Sequence, residues 1–410
     1  MSDKLAIESG RPIRSEPPPQ WPVYGEEEIR LIAQILRSGR THMSRSTVTR
    51  DFEKRFADWL GVRHAIACNS GTSAIHMALA ALGIGPGDEV IVPPRTFIGT
   101  VSPVLYQNAV PVFADIDPET HNIAPEAIRR AITPRTKAII PVHLAGTPCD
   151  MDEIMSIARE HNLAVVEDAA QAHGAEYKGR KVGTFGAVNA FSMQDSKIIN
   201  TTGDGGMVVT DSDEFALFCR EFRNHGFASG VTHADLHIYI HPRIGYNYRM
   251  TEIQAAVGLK QMDRVDAYIT RRRENAAFLA ESIPHIRGLR PMRVPPDRRS
   301  SYYVYYVTMD LDAFRVDRDQ FVRALRAENI ACRIGTSAEL YEQDIFRKKL
   351  AHSWDPRIYS GSVSYDGILC PVAHKVGKET FAVEVAPPAD IEYMKDVVRA
   401  LQKVADAYRR

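Results

Sequence analysis

Long apolar runs are missing from this chain, and their absence removes one class of function at once. No stretch approaches the roughly 18 consecutive apolar residues that a bilayer-spanning helix needs. Residues 1–14 mix charged and small side chains, without the apolar core of a secretory signal. The expectation is a cytoplasmic protein. An excess of charge is missing too, since 51 Lys and Arg balance 51 Asp and Glu. Such a chain carries no electrostatic footprint for a nucleic acid or an anionic membrane. Cysteine is scarce, 5 in 410 residues, widely scattered and never in a CxxC pair. That spacing supports neither a disulfide framework nor a zinc site, so buried free thiols are expected. No internal repeat of roughly 20–50 residues is present either.

What is there is the composition of a globular protein, 44% hydrophobic and 25% charged. The length predicts about two domains. Residues 1–25 are Pro-rich and read as an extended arm. Helical spacing of apolar residues follows at 26–38 and 48–60. An alternation of strands (64–68, 89–92, 110–114, 137–142, 163–167, 188–191, 206–210) with helices (72–82, 97–107, 125–132, 151–161, 214–224) comes next. This pattern predicts an α/β domain over 26–265, a doubly wound, mostly parallel sheet with its ligand at the carboxyl ends of the strands. A long charged helix over 251–283, with Arg271, Arg272 and Arg273 on a solvated face, leads into a smaller α+β domain over 266–410. Within it, 302–309 reads as an aromatic-rich strand, and 318–328 and 391–408 as helices.

Several local features carry chemistry only in combination. Asn69-Ser70-Gly71-Thr72-Ser73-Ala74 joins a strand to a helix, where free backbone N–H groups and small residues suit a phosphate; the plain alternative is an N-cap. In Val165-Val166-Glu167-Asp168-Ala169-Ala170-Gln171 a carboxylate follows a buried strand, and either Glu167 or Asp168 could face a ligand. Lys197 lies between a buried strand and the glycine-rich turn Gly203-Asp204-Gly205-Gly206. A lone lysine is ordinarily a solvated surface residue, but an enclosed one is a nucleophilic amine. Gly245-Tyr246-Asn247-Tyr248-Arg249-Met250 precedes a helix capped at Thr251. His233, His237 and His241 are spaced four apart like metal ligands, yet Pro242 disfavours a continuous helix, and no metal is expected. A phosphate cradle, an acidic ring partner and an enclosed lysine are together the parts that hold pyridoxal phosphate.

With Ser-Gly-Thr-Ser-Ala at 70–74, Gly87-Asp88-Glu89-Val90-Ile91-Val92-Pro93, Thr96-Phe97, Glu167-Asp168-Ala169-Ala170-Gln171 and Asn247-Tyr248-Arg249-Met250 in order, the chain resembles the DegT/DnrJ/StrS family of sugar aminotransferases. The resemblance implies the fold-type I, aspartate aminotransferase-like architecture and pyridoxal 5'-phosphate as cofactor. It implies that Lys197 forms the Schiff base, Asp168 contacts the pyridine nitrogen and Gln171 the 3-hydroxyl. Phe97 and Ala170 would pack on the two ring faces. Gly71, Thr72, Ser73 and Ser192 would hold the phosphate, and Asn247 would reach the phosphate of a neighbouring subunit, making a homodimer with shared sites. His225 and Tyr246 are expected to contact substrate.

One departure is informative. Family members acting on nucleotide sugars carry Ser-Phe-aromatic/His-Pro-x-Lys, whereas Ser192-Met193-Gln194-Asp195-Ser196-Lys197 resembles the branch acting on keto-cyclitols of the scyllo-inosose type and the aminohydroxybenzoate synthases. The implied reaction moves an amino group from glutamine or glutamate to a keto-cyclitol or ketosugar, in sugar or secondary-metabolite biosynthesis. The alternatives are a nucleotide-diphosphate ketosugar aminotransferase, a dehydratase in which His replaces the lysine, and a non-catalytic regulator. Lys197 with Asp168 weighs against the last two.

Overall fold

The computed structural model describes residues 4–228, 240–335 and 339–410. At its centre the strands Val110–Phe113, Glu89–Val92, Thr136–Ile139 and Ala164–Val165 lie side by side in that order, all parallel. Single parallel bridges, Val142 to Asp168 and Asp168 to Ala190, carry the sheet on to Asn189–Ser192. Gly206–Thr210 and then His64–Cys68 complete it, and Gly206–Thr210 runs antiparallel to both its neighbours. The strands alternate their side chains between two apolar layers. Ile91, Ala67 and Met207 join Phe52 and Phe56 on one face. Val90, Ile66 and Val208 join Leu79 on the other. Truncating a fully buried ring such as Phe56 to alanine would cost about 3–5 kcal/mol.

Helices Glu26–Ser38 and Val48–Leu60 occupy the expected residues. The expected helix over 97–107 is instead a short 3₁₀ turn, Ile98–Thr100, followed by Ser102–Tyr106, with Pro103 opening the second piece. The expected helix over 251–283 divides into Glu252–Met262 and Val265–Ser282. The first packs on Glu26–Ser38 and Val48–Leu60, the second on the terminal helix Ile391–Tyr408, and one straight rod could not serve both.

The expectation of a solvated arginine face is corrected here. Arg272 is fully buried, and its Nη1 donates to the carbonyls of Tyr302 and Tyr303 at 3.2 and 2.9 Å. Arg273 is half-buried and donates to Ser300 and Gly174 carbonyls. Arg271 is the most exposed of the three, partly open to solvent and paired with Glu274 at 3.1 Å. Successive residues of a helix point about 100° apart, so three in a row cannot share one solvent face when the helix packs on both sides.

A second, antiparallel sheet runs in the order Leu289–Pro291, Tyr305–Met309, Thr380–Val383, Cys332–Arg333. Its core is built with Phe321, Val397 and Leu401 of the helices Arg318–Ala327 and Ile391–Tyr408. The strand starts later than the expected 302, because Ser301 and Tyr303 instead donate to the Gly146 and Ala145 carbonyls at the seam between the sheets. Residues 340–376 leave this sheet and pack on the parallel one, where the Phe346 and Tyr365 rings lie 5.3 and 5.9 Å from Phe113. All five cysteines are buried and free. No helix among the described residues is long and apolar enough to cross a membrane.

Candidate active site

A cavity of about 460 Å³ opens at the carboxyl ends of the parallel strands, between the two sheets. Gly71, Thr72, Phe97, Asp168, Ala170, Gln171, Ser192 and Lys197 all line it. One wall begins where helix Gly71–Ala81 starts. Ser70 caps it, accepting from the Ser73 amide at 3.1 Å. Gly71 is required here, since a Cβ would sit 2.6 Å from that of Ser192. Gly99 is required likewise, because a Cβ there would meet the Thr72 hydroxyl at 2.6 Å and press on the Phe97 ring. The phosphate-type cradle thus keeps its backbone N–H groups open at a helix N-terminus. The Ser73 side chain does not join it: its hydroxyl donates to Asn69 Oδ1 at 2.7 Å, inside the cap.

The two neighbouring carboxylates part company. Glu167 is fully buried and takes the amides of Gly183, Phe185 and Gly186 at 2.6–2.9 Å, with His143 Nε2 at 3.0 Å. His143 Nδ1 accepts from the Cys149 amide, which leaves the proton on Nε2 for Glu167. Glu167 is therefore a saturated structural anion. Asp168 turns the other way, into the cavity. Its Oδ2 accepts from Thr100 Oγ1 at 2.7 Å and its Oδ1 from the Ala170 amide at 3.0 Å. These donors fix its direction, while both oxygens keep lone pairs for a ring N–H. Gln171 Oε1 accepts from the Ala145 amide at 2.8 Å, and this orients its NH₂ as the remaining donor.

Lys197 stands opposite. Its Nζ lies 4.4 Å from the centre of the Tyr303 ring, and no carboxylate pairs with it among the described residues. Burial pushes the Tyr303 phenol up, but the charges of Lys197 and Arg333 and hydrogen bonds with Ser196 and Arg333 outweigh it, leaving the phenol below its ordinary value. The turn before the lysine is held by Gln194, whose Oε1 accepts from the Ser196 amide and hydroxyl at 3.0 and 2.5 Å. Thr100, Tyr303, Tyr306 and Arg333 escape sequence reasoning. Thr100 carries no motif signal of its own, and the others come from the second sheet and the seam just before it, more than a hundred residues after Lys197.

Asn247, Tyr246 and His225 are not among the residues that line this cavity. They share a turn in which Asn224 and Asn247 form a β-bridge and the His225 amide donates to Tyr246. Asn247 is exposed, and the neighbouring Ile244 is 82% exposed. Of the spaced histidines, His233 and His237 lie outside the described residues; His241 Nδ1 meets the His225 carbonyl at 2.9 Å.

The chemistry of this donor set is that of a pyridoxal phosphate pocket: an anion cradle, a fixed carboxylate, an amide donor and a primary amine around one cavity. The comparisons agree. The model of the DegT/DnrJ/EryC1/StrS aminotransferase family matches residues 22–387. The chain is similar to GDP-perosamine synthase of Caulobacter vibrioides, 45% identical over 69% of this chain and 74% of that one. It is similar to L-glutamine:2-deoxy-scyllo-inosose aminotransferase of Streptomyces kanamyceticus, 39% identical over 80% and 79%. Among solved structures, an aminotransferase from Psychrobacter cryohalolentis superposes with a TM-score of 0.87 at 35% identity, covering 95% of this chain and all of that one. The architecture is fold-type I, and the chain belongs to the DegT/DnrJ/EryC1/StrS aminotransferase family.

Proposed function

We propose that this enzyme uses pyridoxal 5'-phosphate to move an amino group from glutamine or glutamate to a keto-cyclitol. The observation that carries the reading is the unpaired Lys197 amine facing the cavity that Asp168 and Gln171 also line. Bound pyridoxal phosphate supplies an electron sink for charge developing at the donor's α-carbon. The rest falls to the chain. Gly71 and Thr72 amides with the Thr72 and Ser192 hydroxyls hold the phosphate. Asp168, oriented by Thr100 and the Ala170 amide, would face the ring nitrogen and hold its proton. Phe97 and Ala170 cover the ring faces, and Gln171 donates to the ring hydroxyl. Lys197 Nζ would hold the cofactor covalently, and its amine would be the base that moves the proton at the donor's α-carbon.

Asn247 serves the cavity of a neighbouring subunit in a cytoplasmic homodimer. Its exposure and its absence from its own chain's cavity support this, and His225 and Tyr246 on the same turn would then approach substrate across the boundary. The similarity to a scyllo-inosose aminotransferase and Gln194 in the lysine turn support a cyclitol acceptor. The similarity to GDP-perosamine synthase supports a second reading, a nucleotide-linked ketosugar. Offering glutamine and glutamate with a panel of keto-cyclitols and nucleotide ketosugars separates the two. Amination confined to nucleotide-linked ketones would overturn the cyclitol reading. Borohydride should fix the cofactor on Lys197, and Lys197→Ala should abolish that covalent product.

A further inference from the structure

We propose that the N-terminal arm is a positioning strap for Lys197, in which Trp21 holds the lysine's backbone and buried Arg272 ties Trp21 to the opposite, Tyr303 wall of the same niche. The inference rests on Lys197 being the residue that carries the cofactor.

The arm is sewn down on both sides of Trp21. Leu5 is buried in the core of the antiparallel sheet, and the amides of Ala6 and Ile13 donate to the Glu328 carboxylate at 2.9 and 2.8 Å. Arg14 pairs with Asp396 at 2.6 Å. Beyond Trp21, the Val23 carbonyl accepts from Gln261 Nε2 at 3.2 Å. The chain therefore crosses from one sheet's domain to the other at Trp21, and there its indole N–H donates to the Lys197 carbonyl at 3.1 Å. The ring itself stands edge-on to Tyr268 at 4.9 Å.

Arg272 closes the loop. Its guanidinium lies 5.2 Å from the centre of the Trp21 ring, and its Nη1 donates to the Tyr302 and Tyr303 carbonyls. The Tyr303 ring is in turn the surface under Lys197 Nζ, and its hydroxyl meets Ser196, next to the lysine, at 2.7 Å. One cation thus fixes the lysine from the backbone side through Trp21 and from the amine side through Tyr303. Burying a guanidinium is costly without a carboxylate in contact, and among the described residues Nε and Nη2 of Arg272 find no hydrogen-bond acceptor. Burial pulls its pKa down to about 10. A plain structural role would be served at less cost by an apolar side chain. A cation over an indole that also clamps two carbonyls fixes an orientation that apolar packing leaves free.

The test uses the cofactor-loaded protein. Trp21→Phe keeps the ring under Arg272 and against Tyr268 and removes only the N–H to Lys197. The expected result is retained cofactor, retained borohydride trapping, an altered visible circular dichroism band, and kcat lower by about tenfold with donor KM within about twofold. The melting temperature should move by no more than about 4 °C. Arg272→Lys, which keeps charge but loses the fork, should give the same signature. An unchanged dichroism band and unchanged kcat in a folded Trp21→Phe protein would overturn the strap, and this variant decides alone if Arg272→Lys does not fold. Failure of the unaltered protein to trap cofactor on Lys197 is a different result, and it would remove the cofactor reading itself.

Discussion

The cavity has two walls of different origin. The wall of the parallel sheet, Gly71, Thr72, Asp168, Gln171, Ser192 and Lys197, is made of short motifs at strand ends. The wall on the side of the antiparallel sheet is made of single residues, Tyr303 at the seam and Tyr306 and Arg333 on two different strands. On the proposed function, the first would grip a rigid, planar, anionic cofactor, which needs several donors at fixed spacing. The second would face the substrate with one cation and two phenols. If the two walls divide the work in this way, cofactor retention and substrate affinity should respond to mutation separately.

The largest effect is expected on the first wall. Lys197→Ala should lower turnover by roughly four orders of magnitude, as loss of a nucleophilic side chain does, with no trapped cofactor by mass spectrometry. Asp168→Asn should follow, with kcat down about 100- to 1,000-fold and the fold intact by thermal melting; near-normal turnover would remove Asp168 from its role. Glu167→Gln is the counterpart. It weakens charge-assisted bonds to several buried amides and should cost about 2–4 kcal/mol of stability in a denaturant titration, with the colour of the refolded holoenzyme unchanged.

On the second wall, Arg333→Gln should raise substrate KM by about tenfold at unchanged cofactor affinity, measured as separate titrations. Equal losses in both would erase the distinction between the walls.

The smallest effect concerns pH. Burial, helped by the charges of Lys197 and Arg272, holds His173 down to about 3. The folded protein therefore favours neutral His173, and the unfolded chain takes up a proton first as pH falls below about 6.5. Stability is lost as pH falls through that window, by up to about 1.4 kcal/mol per pH unit. His173→Leu should make the fall in melting temperature between about pH 6 and pH 4 shallower.

The cofactor wall was readable because each motif combines a strand end, a turn and a helix start, all within a few residues. The choice between Glu167 and Asp168 was not readable. Adjacent residues on a strand point to opposite faces, and only the Gly183–Gly186 turn shows which face holds the amides. The side-chain direction of Ser73 was hidden for a related reason, since a hydroxyl at a helix start can serve a cap or a ligand equally well. Arg272 was misread because a run of arginines on a charged helix suggests solvent, and its acceptors, the carbonyls of Tyr302 and Tyr303, lie thirty residues away.

By itself, the sequence determined the alternating α/β pattern and the helix bounds at 26–38, 48–60 and 391–408, because hydrophobic period and local spacing are written along the chain. Only the tertiary structure decided which carboxylate faces the cavity, which residues form the second wall, and that the proline-rich arm returns to touch Lys197. Those contacts join segments from 16 to 176 residues apart, and nothing in the local pattern of either segment carries the address of the other.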